Sequence, residues 1–153
     1  MASIRDPLLR LVYRVGYRVL QVWWLIARPT KHGVKCVLVR DDEVLLIRHT
    51  YGRRPAEWDL PGGGVKHREE PRQAARREVR EELGVDLSRW RFLGELFERI
   101  DRKRDRLWCF SCEFDGQSVE LDRAEIAEAR WFPLQGLPED RARYVGRILA
   151  LYS

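Results

Sequence analysis

Glu78, Glu81 and Glu82 sit close together in the run Arg77-Glu78-Val79-Arg80-Glu81-Glu82-Leu83. On a helix turning about 100° per residue, Glu82 lies about +40° and Glu81 about −60° from Glu78, so the three carboxylates share one face. Such neighbours are about 6 Å apart, and each like-charge pair costs on the order of 3 kcal/mol at an effective dielectric near 20. A positive charge must offset that cost. Arg76, Arg77 and Arg80 would do so on an ordinary solvated helix; a metal cation would do so at a working site. Upstream stands Leu60-Pro61-Gly62-Gly63-Gly64. Consecutive glycines reach backbone angles closed to other residues and let a phosphate or a hydrated cation approach the main chain. A glycine loop feeding an acid-rich helix is suited to Mg2+, which takes oxygen ligands and bridges to substrate phosphates, with Mn2+ as the alternative.

The spacing carries more than the residue types. Gly63, five residues, Glu69, seven residues, then Arg77-Glu78-Val79-Arg80-Glu81-Glu82-Leu83-Gly84-Val85 fills each fixed position of the signature G-x5-E-x7-R-E-U-x-E-E-x-G-U, where U is a bulky aliphatic residue. The chain therefore resembles the Nudix hydrolases. The resemblance implies an α/β/α sandwich with a mixed central sheet, in which the signature forms a loop-helix-loop. It implies Glu78, Glu81, Glu82 and the Gly63 carbonyl as metal ligands, and Glu69 with Arg77 as an ion pair supporting the loop. It leaves the proton acceptor open between a glutamate of the signature, Glu81 or Glu82, and one on a later loop, Glu125, with Glu128 and Glu120 as rivals. Lys66-His67-Arg68 replaces the glycine that many relatives carry just before the Glu69 position; these side chains are either exposed loop residues or phosphate contacts.

The elements that must position this constellation follow from periodicity. Val34, Cys36 and Leu38 alternate with Lys35, Val37 and Val39, a turn falls at Asp41-Asp42, and Val44–Ile47 reads as a second strand. Thr50–Asp59 reads as a loop. Residues 71–83 read as a helix opened by Pro71 and stopped by Gly84, with Ala75, Val79 and Leu83 as its apolar stripe. Arg91–Ile100 and Arg106–Phe114 read as strands joined by a charged turn at Asp101–Asp105, Ala129–Phe132 as a short strand, and Pro138–Tyr152 as a closing helix.

The 153 residues suit one domain, taken as residues 33–153, preceded by an arm, residues 1–32. Net charge is +5, but Arg5, Arg10, Arg14, Arg18 and Arg28 against Asp6 place +4 of it before residue 31. The domain itself is nearly neutral, which disfavours a nucleic-acid track. Arg10, Arg14 and Arg18 lie along one side of an amphipathic helix over residues 7–27, whose longest charge-free run, Val19–Ala27, is far short of the roughly 20 residues that span a bilayer. Trp23 and Trp24 beside Arg18 and Arg28 suit either packing on the domain or a second subunit, or a membrane surface. Cys36, Cys109 and Cys112 suggest buried thiols in a reducing compartment; Cys109 and Cys112, three apart on a strand, point to opposite faces. The expected location is cytoplasmic, with peripheral membrane contact as the variant.

The expected function is hydrolysis of a phosphoanhydride in a nucleoside diphosphate linked to another moiety, of the ADP-ribose, nucleotide-sugar or nucleoside-triphosphate kind. The competing readings are pyrophosphate removal from RNA 5′ ends, and a non-catalytic binding module on the same fold, which would be expected to lack the glutamates retained here. Candidate substrate contacts are Arg48, Trp58, Phe97 and Trp108, with His49, Tyr51 and Phe110 nearby.

Overall fold

The computed structural model describes residues 31–51, 56–100 and 103–153. The amphipathic helix expected over residues 7–27, and its membrane or dimer contact, lie outside them. Strand β1 (Lys31–Arg40) turns through Asp41 and Asp42, both at positive φ (45° and 62°), into β2 (Glu43–His49). That is the two-residue hairpin whose turn matches strand twist, and aspartate tolerates the left-handed angles it needs. Helix α1 is Pro71–Leu83. Strands β3 (Arg91–Ile100), β4 (Lys103–Glu113) and β5 (Ile126–Pro133) follow, and α2 is Val145–Tyr152.

The sheet order is β3-β4-β1-β2-β5, with β1 and β4 parallel and the other pairs antiparallel. Strand alternation divides the core into two layers. Val34, Cys36 and Leu38 of β1, Leu45 and Ile47 of β2 and Phe110 and Cys112 of β4 pack with Ala74, Ala75, Val79 and Leu83 of α1. Val37 and Val39, Val44 and Leu46, Leu107 and Cys109 pack on the other side with Val145, Ile148 and Leu149 of α2. The mixed sheet between helices is the expected sandwich, and Cys109 and Cys112 fall in opposite layers as free thiols. Val79 and Leu83 are fully buried, and each contributes about 1.5–3 kcal/mol to holding α1 on the sheet. Pro71 starts that helix; Gly84, at φ 68°, ends it by donating its N–H to the Arg80 carbonyl.

One irregularity shapes the site. β1 and β2 are paired only beside their turn, at Val39↔Val44 and Arg40↔Glu43. Beyond that they part, and the segment 58–64 runs into the gap. Asp59 exchanges backbone hydrogen bonds with Ile47 of β2 (2.8 and 2.9 Å), while Cys36 and Val34 of β1 donate to the carbonyls of Pro61 and Gly63 (both 2.8 Å).

Several expected boundaries move. β1 begins at Lys31, two residues earlier than expected, because Lys31 and His32 pair with Asp105 and Arg106. β4 accordingly starts at Lys103 and shortens the charged turn, and β5 runs from Ile126 because it pairs along the whole of β2. The closing helix is half its expected length. Residues 140–142 are instead tied to Trp58: Trp58 N–H donates to the Asp140 carbonyl and Ala142 N–H to the Trp58 carbonyl, both 2.8 Å. Ala142 is buried all the same, so its apolar spacing imitates a helix that the backbone does not form.

Candidate active site

The glycine loop meets α1 through two close approaches. Gly62, at φ 144°, donates its N–H to Glu82 Oε2 at 3.0 Å, and a Cβ there would lie 2.1 Å from the Val34 carbonyl oxygen. A Cβ on Gly63 would lie 2.6 Å from the Glu78 carboxylate. Only glycine at both positions lets the carboxylates of α1 rest against main chain. The split between β1 and β2 creates this cradle, since it brings an irregular segment into the sheet at the level of the helix.

Glu82 is 2 % exposed. Burial pushes its carboxyl up to about 8 against the opposing pull of the Gly62 N–H and the Lys35 charge, so a cation binding there displaces a proton. Glu78 is half-buried, and burial raises it as well, against Arg77. Glu81 is exposed. Arg77 gathers the loop and the helix together: its guanidinium forks onto Glu69 (2.7 and 2.9 Å) and donates to the Gly64 carbonyl (2.9 Å), Glu78 (2.7 Å) and Glu81 (3.1 Å). The Glu69 carboxylate, which also accepts the Lys66 N–H at 2.8 Å, is held down to about 2, chiefly by Arg77. Glu69 and Arg77 are thus paired next to the loop.

With Glu78 and Glu81 drawn to Arg77, no three acid, histidine or cysteine side chains among the described residues already converge on one point. The donor set nevertheless fits a hard divalent cation: three carboxylates on one helix face, a bare Gly63 Cα against one of them, and the Gly63 carbonyl, whose bond from Val34 N–H leaves a second lone pair. Glu78 and Glu81 need only turn away from Arg77 to serve it.

Glu125 lies near enough to raise the Glu78 carboxyl, and its backbone carbonyl accepts the Thr50 N–H at 2.9 Å. Of its rivals, one has a paired carboxylate and the other lies at the end of the helix. Glu128 pairs with Arg130 (2.6 Å) and Arg48 (3.5 Å), and Glu120 is held at the C-terminal end of α1, its N–H on the Leu83 carbonyl.

Two of the four expected substrate contacts fall on the wrong side of the sheet. Trp58 is 2 % exposed within the α2 layer, with Phe132 edge-on at 4.8 Å, Arg48 over its ring at 4.3 Å and Arg130 at 5.5 Å. It has no face left for a base. Arg48 is spent on that ring and on ion pairs with Asp140 and Glu128. Phe97 and Trp108 are better placed. Trp108 packs at the margin of the α1 layer and pairs across the sheet with Val34, whose N–H holds Gly63. Phe97 is 69 % exposed. Arg106 covers both rings, 4.3 Å from Trp108 and 5.8 Å from Phe97, and pairs with Glu95 at 2.6 Å. Tyr51, exposed beside His49 at 5.6 Å, also borders the carboxylates: burial first, then Glu125, Glu82 and Glu78, raise its phenol.

Sequence reasoning missed a buried polar cluster beneath the loop. Lys35 donates to Asp59 Oδ2 (2.6 Å) and to the Leu60 carbonyl (3.2 Å), and Tyr144 OH donates to the same Asp59 oxygen (2.6 Å). The available signal was a lysine inside an otherwise apolar strand.

The NUDIX domain family model matches residues 29–151. Over 76 residues the chain is 52% identical to diphosphoinositol polyphosphate phosphohydrolase 2 of Rattus norvegicus, a match covering 48% of this chain and 41% of that protein. Over 64 residues it is 48% identical to diphosphoinositol polyphosphate phosphohydrolase 3-beta of Bos taurus, covering 42% and 38%. The chain thus spans less than half the length of these curated relatives. Among solved structures, a MutT NUDIX hydrolase from Burkholderia pseudomallei superposes with a TM-score of 0.75 at 25% identity, covering 82% of this chain and 99% of that one. A MutT protein from Methanosarcina mazei Go1 gives 0.70 at 26%, covering 80% and 91%. With the signature, the sandwich and a family model spanning nearly the whole described domain in agreement, the chain belongs to the NUDIX domain family.

Proposed function

We propose that this chain hydrolyses a phosphoanhydride bond in a diphosphate-bearing small molecule, with Mg2+ or Mn2+ held by Glu78, Glu81, Glu82 and the Gly63 carbonyl. The observation that carries this reading is the cradle in which two glycines bring main chain against two partly desolvated carboxylates. Dependence on divalent metal is general in this family. When bound, the cation neutralises the diphosphate and acidifies a water. The protein's own residues orient and receive. Gly62 N–H fixes the Glu82 carboxylate, and Arg77 with Glu69 fixes the loop relative to α1. Glu125, outside the signature and near enough for its charge to raise the Glu78 carboxyl, is the proton acceptor favoured over Glu81, which this reading gives to the cation.

At the level of substrate, two classes compete. A nucleoside diphosphate linked to another moiety needs a stacking surface for its base, and Phe97 and Tyr51 are the exposed rings on offer. Trp58 is buried, and Arg106 lies over Trp108. A polyphosphate needs cations instead, and Arg106 places one at that edge, where a phosphate would compete with Glu95 for its guanidinium. That observation, together with the names of the curated relatives, favours a diphosphoinositol polyphosphate. The decisive comparison is turnover of a diphosphoinositol polyphosphate, ADP-ribose, a nucleotide sugar, a nucleoside triphosphate and 5′-triphosphorylated RNA with Mg2+, by the wild-type chain and Glu82→Gln. Preference for a nucleotide overturns the inositol reading, equal turnover by both proteins overturns the metal site, and no turnover of any leaves a binding module.

A further inference from the structure

The buried cluster below the loop has no part in the chemistry just described, yet it is costly. Lys35 is 7 % exposed in the α2 layer of the sheet. Burial alone would lower its ammonium, but its partners, the Asp59 carboxylate foremost, outweigh burial and hold it charged. Burying an ammonium and a carboxylate together costs several kcal/mol per ion unless their hydrogen bonds are complete, and apolar residues of similar size are often as stable or more so. Here the bonds are nearly complete. Asp59 Oδ2 accepts from Lys35 and Tyr144, Oδ1 accepts the Leu60 N–H at 2.7 Å, and the Lys35 ammonium also holds the Leu60 carbonyl and lies 5.3 Å from the Tyr144 ring.

The location is informative. Lys35 belongs to β1, Asp59 is bonded through its backbone to β2, and Tyr144 is the residue that precedes α2. The cluster therefore bridges the gap where β1 and β2 part, and it grips the two residues that lead into Pro61, Gly62 and Gly63. Those three make the contacts that define the cradle: Pro61 and Gly63 carbonyls on β1, Gly62 N–H on Glu82, and the Gly63 Cα against Glu78. A displacement of the Asp59-Leu60 corner moves all of them together.

We propose that Lys35 is a positioning residue for the cation site, acting through Asp59 and supported by Tyr144 to fix the loop at the register where Gly62 and Gly63 meet Glu82 and Glu78. It rests on the reading of Glu78, Glu81 and Glu82 as a cation site. The alternative, that Lys35 serves only the core, makes a different prediction, as does a role as a mere point charge. Removing a positive charge near a cation site should tighten cation binding, whereas loosening the loop should weaken it.

The test is Mn2+ binding to the full chain, followed by electron paramagnetic resonance, alongside circular dichroism to confirm folding. Lys35→Met is expected to weaken Mn2+ binding about tenfold or more, and Tyr144→Phe, which removes one of the two side-chain donors to Asp59, about threefold to fivefold. Lys35→Met/Tyr144→Phe should be no worse than Lys35→Met alone, because both act through Asp59. Ile148→Val, a cavity in the same layer, should lower stability and leave Mn2+ affinity unchanged. Unchanged or tighter binding by folded Lys35→Met overturns the proposal; if that variant does not fold, unchanged binding by Tyr144→Phe overturns it. A wild-type chain that binds no Mn2+ overturns the cation-site reading and this inference with it.

Discussion

Replacing Glu82 by glutamine should make the cation-free protein more stable while abolishing its function. The carboxyl is buried and its proton is held up to about 8 rather than at the ordinary 4.5. Between those pH values the folded chain keeps a proton that the unfolded chain has released, so stability falls as pH rises from about 4.5 to about 8. At about 1.4 kcal/mol per pH unit, the loss reaches up to about 5 kcal/mol once the group is ionised, of which about 3 kcal/mol is already felt at pH 7. Glutamine has nothing to ionise, and its amide oxygen can still accept the Gly62 N–H. At pH 8 in chelator, where about 4 kcal/mol of the loss is felt, Glu82→Gln should therefore melt about 8–16 °C above the wild type, given about 2–4 °C per kcal/mol for a chain of this size. The gap should close near pH 4.5. Adding Mg2+ or Mn2+ should raise the wild-type melting temperature and leave the variant where it was, because a ligand stabilises only the state that binds it. Differential scanning calorimetry across pH, with and without cation, reads all of this. A Glu82→Gln protein less stable than wild type at pH 8 in chelator, or equally responsive to Mn2+, would refute the reasoning.

Three further outcomes follow from the packing. Gly62→Ala drives a Cβ to 2.1 Å from the Val34 carbonyl at a φ of 144°; it should cost well over about 1 kcal/mol in urea denaturation and weaken Mn2+ binding with it. Trp58→Ala should cost about 3–5 kcal/mol by the same assay, as for other buried aromatics, yet leave KM unchanged where the protein is folded; a raised KM with intact stability would put Trp58 back in the site. Arg106→Gln should raise KM for a diphosphoinositol polyphosphate about tenfold or more with little change in kcat, the loss expected of a charged hydrogen bond to phosphate. An unchanged KM would take Arg106 out of the binding surface.

Helix α1 was legible because its information is local. Pro71, the Ala75-Val79-Leu83 stripe, the Glu78-Glu81-Glu82 face and Gly84 all lie within a few turns, and helical periodicity relates them without reference to the rest of the chain. What was not legible depends on contacts between distant residues. Lys35, Asp59 and Tyr144 meet across separations of 24 and 85 residues, and nothing in the immediate surroundings of any of them names the others. Trp58 was misplaced for a related reason: an aromatic beside a glycine loop suits a binding wall or a core equally well, and the sheet layer it enters is decided by its pairing with residues 140–142. The same pairing pulled those residues out of the helix that their apolar spacing suggested. In each case long-range backbone pairing outweighed a correct local pattern.

The most direct measurement is phosphate release from a diphosphoinositol polyphosphate by the wild-type chain and by Glu78→Gln/Glu82→Gln, each with Mg2+ and with excess chelator. Release by the wild type that requires Mg2+ and disappears in the double variant is the predicted result. Equal release in chelator, or by the folded double variant, would contradict the claim that these carboxylates hold the cation on which hydrolysis depends.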